Sequence, residues 1–262
     1  IDLPTKPQVL TNLMFGTQNM SPSKNLPISK EQKALKVSIN ISGFSEKSQN
    51  SISEKNSSIE IPQKIILGVA GLQGSGADKF IQNFQNDSRK ITVSNKSYFN
   101  NQNITYVPSD RLERGLFPDM TICEHIALAY NKNKTVNWSE MEKLSQKLIN
   151  KFGIVGAPNS VAKTLSGGNQ QRLMLSLITE NTELLLLEQP TRGLDIQSAN
   201  YVWGNLVSTK ENKMLTIFSS TDIDEIYEYS EYVICFFNNT IVSHGYPESL
   251  TKDITMQKIS GN

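Results

Sequence analysis

The chain has 262 residues, with 26 Lys and Arg against 25 Asp and Glu and a formal net charge of +1 at pH 7. That balance excludes a global field for nucleic acid or anionic membrane, so any partner must be argued from local sites. No run approaches the roughly 20 apolar residues of a membrane span, and a soluble, cytosolic chain of one large domain with a possible lead segment is expected.

Taken in order, residues 1–33 carry four prolines and no sustained period, and read as a linker or packed tail. Leu35–Ile41 alternates apolar and polar residues, the pattern of a half-exposed strand. Residues 45–58 are rich in Ser, Asn, Lys and Glu and read as a loop or hairpin tip. A strand at Ser58–Ile61 precedes the strongly apolar Ile65–Ala70, a buried strand. Gly71-Leu72-Gln73-Gly74-Ser75-Gly76 follows, then an amphipathic stretch from Ala77 to Phe84. Strand, glycine loop and helix in that order make a phosphate-binding loop. Helices are expected over 121–131, 138–152, Asn169–Ile178, 197–208 and Asp222–Tyr229, with strands at 184–187, Leu215–Ser219 and Tyr232–Phe237. The helical stretch of about 108–168 interrupts an α/β alternation and reads as an inserted subdomain. Cys123 and Cys235 lie in apolar surroundings and are expected as free thiols in a reducing compartment. The chain begins at Ile1 without a basic-then-apolar leader, and reads as a piece of something longer.

A working phosphate loop has the form G-x-x-x-x-G-K-[ST], with Lys on the β- and γ-phosphates and the hydroxyl on Mg²⁺. Gly71 and Gly76 have that spacing, but Ala77 stands at the Lys position and Asp78 at the hydroxyl position. Lys79 lies two residues on, roughly 200° around the helix, and cannot substitute. Losing a cation ~4 Å from phosphate forfeits on the order of 4 kcal/mol at an effective dielectric of ~20. Asp78 adds repulsion unless a metal bridges it.

Leu165-Ser166-Gly167-Gly168-Asn169-Gln170-Gln171 places a hydroxyl and two glycines at a helix start, a site for phosphate oxygens. The run Leu184–Leu187 then delivers Glu188 and Gln189 at a strand end, followed by Pro190-Thr191-Arg192-Gly193-Leu194-Asp195. In open α/β sheets, ligand chemistry gathers at such ends. Together these strings resemble the signature, Walker B and D-loop stretch of ABC-transporter ATPases. The resemblance covers about residues 35–262 and implies a P-loop NTPase-like α/β fold. Its core is a mixed or parallel sheet, with an N-terminal antiparallel β part and an inserted helical subdomain.

In that family the strand ends Asp-Glu, the Asp serving Mg²⁺ and the Glu acting on water. Glu188 keeps the charge and is a possible Mg²⁺ residue, whereas the Gln189 amide has no useful basicity. The family's switch histidine is replaced by Thr221, and His125 and His244 read as surface or packing residues. Ser109 stands at the Q-loop position. Pro108-Ser109-Asp110-Arg111 through Gly115-Leu116 resembles a stretch in the second ATPase half of sugar and nucleoside importers, although Asp110 and Arg111 could equally form a surface ion pair. Phe44 is the candidate for stacking on adenine. Asn-Leu-Met-Phe-Gly at 12–16 looks like the closing helix of a preceding ATPase half.

The resemblance thus implies the second nucleotide-binding half of a ribose, galactose or nucleoside importer. Residues 1–33 would be a linker or tail and 34–262 the ATPase domain. ATP and Mg²⁺ would be bound weakly here, at Gly71, Gly74, Ser75, Gly76, Ala77 and Asp78, or at a shared composite site. Ser166–Gly168 would act on the ATP of a first half encoded upstream. Transmembrane permease subunits, and indirectly a substrate-binding protein, are the implied partners. The location is peripheral on the cytoplasmic face of the membrane. Two other readings stay open, a nucleotide-independent structural module and an ABC protein acting on nucleic acid or ribosomes. Near-zero net charge counts against the last.

Overall fold

The computed structural model describes residues 36–41, 45–46, 58–87, 91–93, 96–97, 103–208 and 215–261. The expectations for residues 1–33, and for Phe44, lie outside these. The first half contains β1 (Lys36–Asn40), β2 (Ser45–Glu46), β3 (Ser58–Pro62), β4 (Ile65–Gly71), α1 (Ala77–Asn86), β5 (Ile91–Val93), β6 (Lys96–Ser97) and β7 (Ile104–Val107). A π-helical turn (Arg111–Gly115), α2 (Ile122–Tyr130), α3 (Trp138–Phe152) and a 3₁₀ turn (Ala162–Thr164) follow. Then come α4 (Gly167–Ser176), β8 (Leu184–Glu188), α5 (Ile196–Ser208), β9 (Leu215–Ser220), α6 (Ile223–Tyr229), β10 (Tyr232–Phe237), β11 (Thr240–Gly245) and α7 (Lys252–Ile259).

The strands build two sheets. β3-β1-β5-β6 is antiparallel throughout, and β2-β11-β10-β4-β9-β8-β7 is mixed, with β10, β4, β9, β8 and β7 running parallel. The α/β plan with an antiparallel N-terminal part is therefore the one the motifs implied. Period-two alternation explains how the sheet carries two cores. Leu184 and Leu186 of β8 face a cluster with Phe80, Ile81 and Phe84 of α1 and with Val37, Ile39 and Ile61. Leu185 and Leu187 face the opposite cluster with Leu173, Trp203 and Leu206. Burial of each such side chain contributes about 1.5–3 kcal/mol, so β4 and β8, buried along their whole length, are the frame on which the loop residues are hung.

Helix starts follow local chemistry. Thr121 and Glu124 form a reciprocal capping box on α2, and Asn137 caps α3, which ends at Gly153 in the left-handed region. Ser166 caps α4, so that helix begins at Gly167 rather than at Asn169. β7, β11, α7 and the π-turn had no clear periodic signal. β7 is a strand because it pairs in parallel with β8, from Ile104↔Leu184 to Val107↔Leu187. Only Thr255 and Ile259 of α7 are buried. Both cysteines are free, and burial pushes the Cys235 thiol up to about 11.

Candidate functional site

The glycine loop sits at the C-terminal end of β4. Gly74 (φ 80°) and Gly76 (φ 107°) occupy the left-handed region, which glycine adopts without a Cβ penalty. A Cβ on Gly71 would lie 2.2 Å from Ser75 Oγ, so the loop folds back tightly enough that a side chain there would have to displace the Ser75 hydroxyl. The two-residue turn of the β10–β11 hairpin braces it, with Asn239 N–H donating to the Ser75 carbonyl at 2.6 Å. Ser75 Oγ is buried and has no hydrogen-bond partner. Ala77 is buried in the first turn of α1 and Lys79 is exposed, as its position around the helix requires.

Asp78 turns from the loop toward two strand ends. Its Oδ1 accepts from Ser219 Oγ at 2.6 Å and its Oδ2 from Gln189 Nε2 at 3.2 Å. Glu188 is 1% exposed, and a buried carboxylate has to be paired and hydrogen-bonded. Oε1 accepts from Gln82 Nε2 at 2.7 Å and from the Tyr106 hydroxyl at 2.5 Å. Oε2 accepts from Ser109 N–H at 3.2 Å and Ser109 Oγ at 3.3 Å. Arg114 Nη1 and Nη2 each approach one of the two oxygens at 3.4 Å. Burial pushes the Glu188 carboxyl up, but the bonds from Tyr106, Gln82 and Ser109 and the Arg114 charge together hold it below the ordinary glutamate value. Burial and the same contact push the Tyr106 hydroxyl far above an ordinary phenol.

The start of α4 is open by comparison. Ser166 is exposed, and its Oγ accepts from Asn169 Nδ2 at 2.9 Å. Asn169 Oδ1 in turn accepts from Val155 N–H, and Gln170 Nε2 donates to the Leu165 carbonyl at 3.0 Å, so the motif's amides tie the helix start to the preceding turn. A Cβ on Gly168 would meet only Leu194 and Ser198, at 3.9 and 4.0 Å. Gly193 (φ 71°) turns the chain, and Asp195 caps α5 by accepting from Ser198 N–H and Oγ at 2.9 and 2.8 Å.

Arg111 joins this surface to the π-turn. Its Nε donates to Gln171 Oε1 at 3.0 Å, its Nη2 donates to the Arg192 carbonyl, and Nη1 would be 2.9 Å from a Cβ on Gly167. Asp110 is engaged elsewhere, accepting from Glu113 N–H as the cap of the π-turn. Burial and the neighbouring Arg192 lower the Arg111 pKa. A cavity of about 380 Å³ is lined by Ser109, Asp110, Arg111, Leu112, Gln170 and Arg192. Thr221 is exposed beyond β9, while His125 is buried and used in packing.

Sequence reasoning missed the partners of Glu188, namely Gln82, Tyr106 and Arg114, and it also missed Glu225. The Glu225 carboxylate accepts from Trp203 Nε1 at 2.7 Å, Thr191 Oγ1 at 2.5 Å and Ser220 Oγ at 2.5 Å. It ties α5, α6 and the Pro190–Asp195 turn to the end of β9. No spacing rule reaches these contacts, which span up to 106 residues in the chain.

The residues suit a phosphate group better than a divalent metal. The loop keeps its tight glycine turn and the orphaned Ser75 hydroxyl. By contrast, both candidate metal-facing carboxylates are already satisfied by protein donors. Among the described residues no cluster of three His, Cys, Asp or Glu is arranged to hold a metal ion. No helix of the described residues is long and apolar enough to cross a membrane.

The family model described as ABC transporter matches residues 54–192. The chain is 29% identical over 235 residues to the nucleoside import ATP-binding protein NupA of Lactococcus lactis, covering 82% of this chain and 46% of that protein. It is 29% identical over 215 residues to the guanosine import ATP-binding protein NupO of Bacillus subtilis, covering 74% and 42%. A xylose import ATP-binding protein, XylG of Moorella thermoacetica, is 28% identical over 214 residues, with 75% and 42% covered. The chain thus spans about half the length of the curated relatives it matches. Among solved structures, cbiO1 of Clostridium perfringens, part of an ABC transporter complex, superposes with a TM-score of 0.62 at 18% identity, covering 86% of this chain and 94% of that one. A dimeric ATP-binding cassette bound to ADP and Pi superposes at 0.61 with 16% identity, covering 80% and 98%. At these identities the likeness is one of fold.

Proposed function

The chain belongs to the ABC transporter family, and on that premise we propose that it is the second nucleotide-binding half of an importer for a sugar or nucleoside. In this reading residues 34–262 are the ATPase domain, with about 108–168 as its helical subdomain, and residues 1–33 connect to a first half upstream. The names of the relatives, and their roughly doubled length, support the assignment. The assembly would sit peripherally on the cytoplasmic face of the membrane, against transmembrane permease subunits that a substrate-binding protein supplies.

One observation carries the division of labour. Asp78, Glu188 and Gln189 are bonded inward to protein partners, whereas Ser166 at the start of α4 is exposed. The chain therefore serves the other half's ATP better than its own. ATP bound there supplies the phosphoryl group whose transfer to water drives the cycle. Toward it, the Ser166 hydroxyl and the free N–H groups at the α4 start offer donors aimed at phosphate oxygens. Gly168 keeps a side chain out of that approach. At the chain's own loop, Ser75 and the glycines could hold phosphate, but Ala77 supplies no cation and Gln189 no base. That site binds weakly and does not hydrolyse. Ser109–Leu116 and the helical insert carry closure toward the membrane subunits.

The reconstituted transporter tests this. Ser166→Arg and Gly168→Asp should abolish ATPase and transport without unfolding the chain, since Ser166 is exposed and Gly168 has room for a Cβ. Gln189→Ala should leave turnover nearly unchanged. The reverse ranking, with Gln189→Ala inactive and Gly168→Asp tolerated, would make the degenerate site the working one.

A further inference from the structure

Glu188 brings a negative charge to the end of β8 with almost no access to solvent, and an ionised carboxylate in that position needs a compensating positive charge. We infer that Arg114 is the resident cation of this half-site, supplying to Glu188 the charge that a divalent metal would otherwise supply, so that the site takes no metal. The inference rests on reading Glu188 as the strand-end carboxylate of the proposed function.

Three observations support it. First, the two Glu188 oxygens already meet Gln82 Nε2, the Tyr106 hydroxyl, Ser109 N–H and Oγ, and both Arg114 Nη atoms. A carboxylate offers about four lone-pair sites, so Mg²⁺, which demands oxygen at about 2.0–2.1 Å in near-ideal octahedral geometry, has to displace donors to enter. Second, Arg114 is held from its other side. Its guanidinium lies over the Tyr106 ring at 5.5 Å from the centroid, and Nη2 donates to the Tyr106 hydroxyl. The cation is thus positioned by the ring and the carboxylate together. Third, the site's other carboxylate, Asp78, is satisfied by Ser219 and Gln189.

The pair also has a mechanical consequence. Arg114 belongs to the π-turn that opens the helical stretch, and Glu188 ends β8, a strand paired on both sides. Their ion pair, at 3.4 Å, ties the turn to the sheet. Because the Arg114 side chain is 41% exposed, the contact is open to competition, and removing the guanidinium should admit an ion.

Mn²⁺ is the probe, titrated without nucleotide into the full chain and followed by the loss of its free paramagnetic signal. The wild-type chain should show no site that depends on Glu188. Arg114→Ala should gain one, binding Mn²⁺ at least about tenfold more tightly than any residual binding of the wild-type chain, and Arg114→Ala combined with Glu188→Gln should lose it. Arg114→Lys, which keeps a cation, should behave as wild type. The inference is overturned if the wild-type chain binds Mn²⁺ at a site abolished by Glu188→Gln, or if folded Arg114→Ala gains no site. If Arg114→Ala does not fold, Arg114→Met takes its place and the same outcomes decide. None of these readouts depends on ATPase activity, so they can fail while the signature-helix ranking holds, and the reverse.

Discussion

Gln189 Nε2 donates to Asp78 Oδ2 across 111 residues of chain, at 3.2 Å. Two of the positions on which the proposed division of labour rests are therefore partners of each other. The amide cannot take a proton from water; it steadies the Asp78 carboxylate at the start of the helix that follows the glycine loop. Replacing Ala77 by Lys and Asp78 by Ser removes the repulsion and adds the missing cation. Titration with a fluorescent ATP analogue should show the double variant binding tighter by about tenfold, or about 1.4 kcal/mol. Equal affinity before and after would remove these positions from the binding account.

Gly115 closes the π-turn against α4, where a Cβ would lie 2.2 Å from Met174 Sδ. Met174 is 3% exposed and has little room to withdraw. Gly115→Ala should therefore destabilise the chain by about 1–3 kcal/mol through overpacking. Adding Met174→Ala should recover part of that loss. Urea unfolding of the two singles and the double would expose the coupling as non-additivity.

His125 should contribute a pH-dependent term to stability. Its Nε2 accepts from Phe117 N–H at 2.9 Å, which assigns the proton to Nδ1, 2.7 Å from the Thr121 carbonyl. Burial lowers its pKa below the ordinary histidine value. A group lowered by folding gives stability that is full above its unfolded pKa, about 6.5, and that is lost as pH falls through the folded value. Thermal melts of wild type should fall across that window, and His125→Gln should show a shallower fall from a lower starting stability. An unchanged slope would contradict the assignment.

Glu225 is the acceptor for three donors in a dry junction, and it is 8% exposed. Trp203→Phe keeps an aromatic ring against Tyr229, which stacks on the indole at 4.2 Å, but removes the N–H and leaves a small cavity where the 1% exposed indole was, so it should cost about 2 kcal/mol. Glu225→Ala leaves all three donors without their acceptor and should cost about 3 kcal/mol. Denaturant midpoints of the two variants would check the order, and a smaller loss for Glu225→Ala would contradict it.

Local pattern was enough for much of this molecule. The apolar runs at Ile65–Ala70 and 184–187 made buried strands, the glycine loop stood between strand and helix, and Ser166 marked a helix start because a hydroxyl there satisfies a free N–H. The same residues read as a resemblance identified the family before any fold was in view. The elements that local pattern missed are those whose stability comes from a neighbour. β7 is a strand by pairing with β8, and α7 buries too few residues to show a period.

The character of the site was decided by tertiary structure. The sequence placed Asp78, Glu188 and Gln189 at motif positions by resemblance alone, with Glu188 as a possible Mg²⁺ residue. Whether that carboxylate faces a metal or a guanidinium depends on Arg114, 74 positions away, and on Gln82 and Tyr106 from two further elements. Asp78 likewise meets Ser219 across 141 positions. Periodicity and capping follow from the geometry of neighbouring residues along the chain, and so they are written in the sequence. Charge compensation in a buried site follows from which donors the packed sheet brings within about 3 Å, and only the folded chain sets that distance.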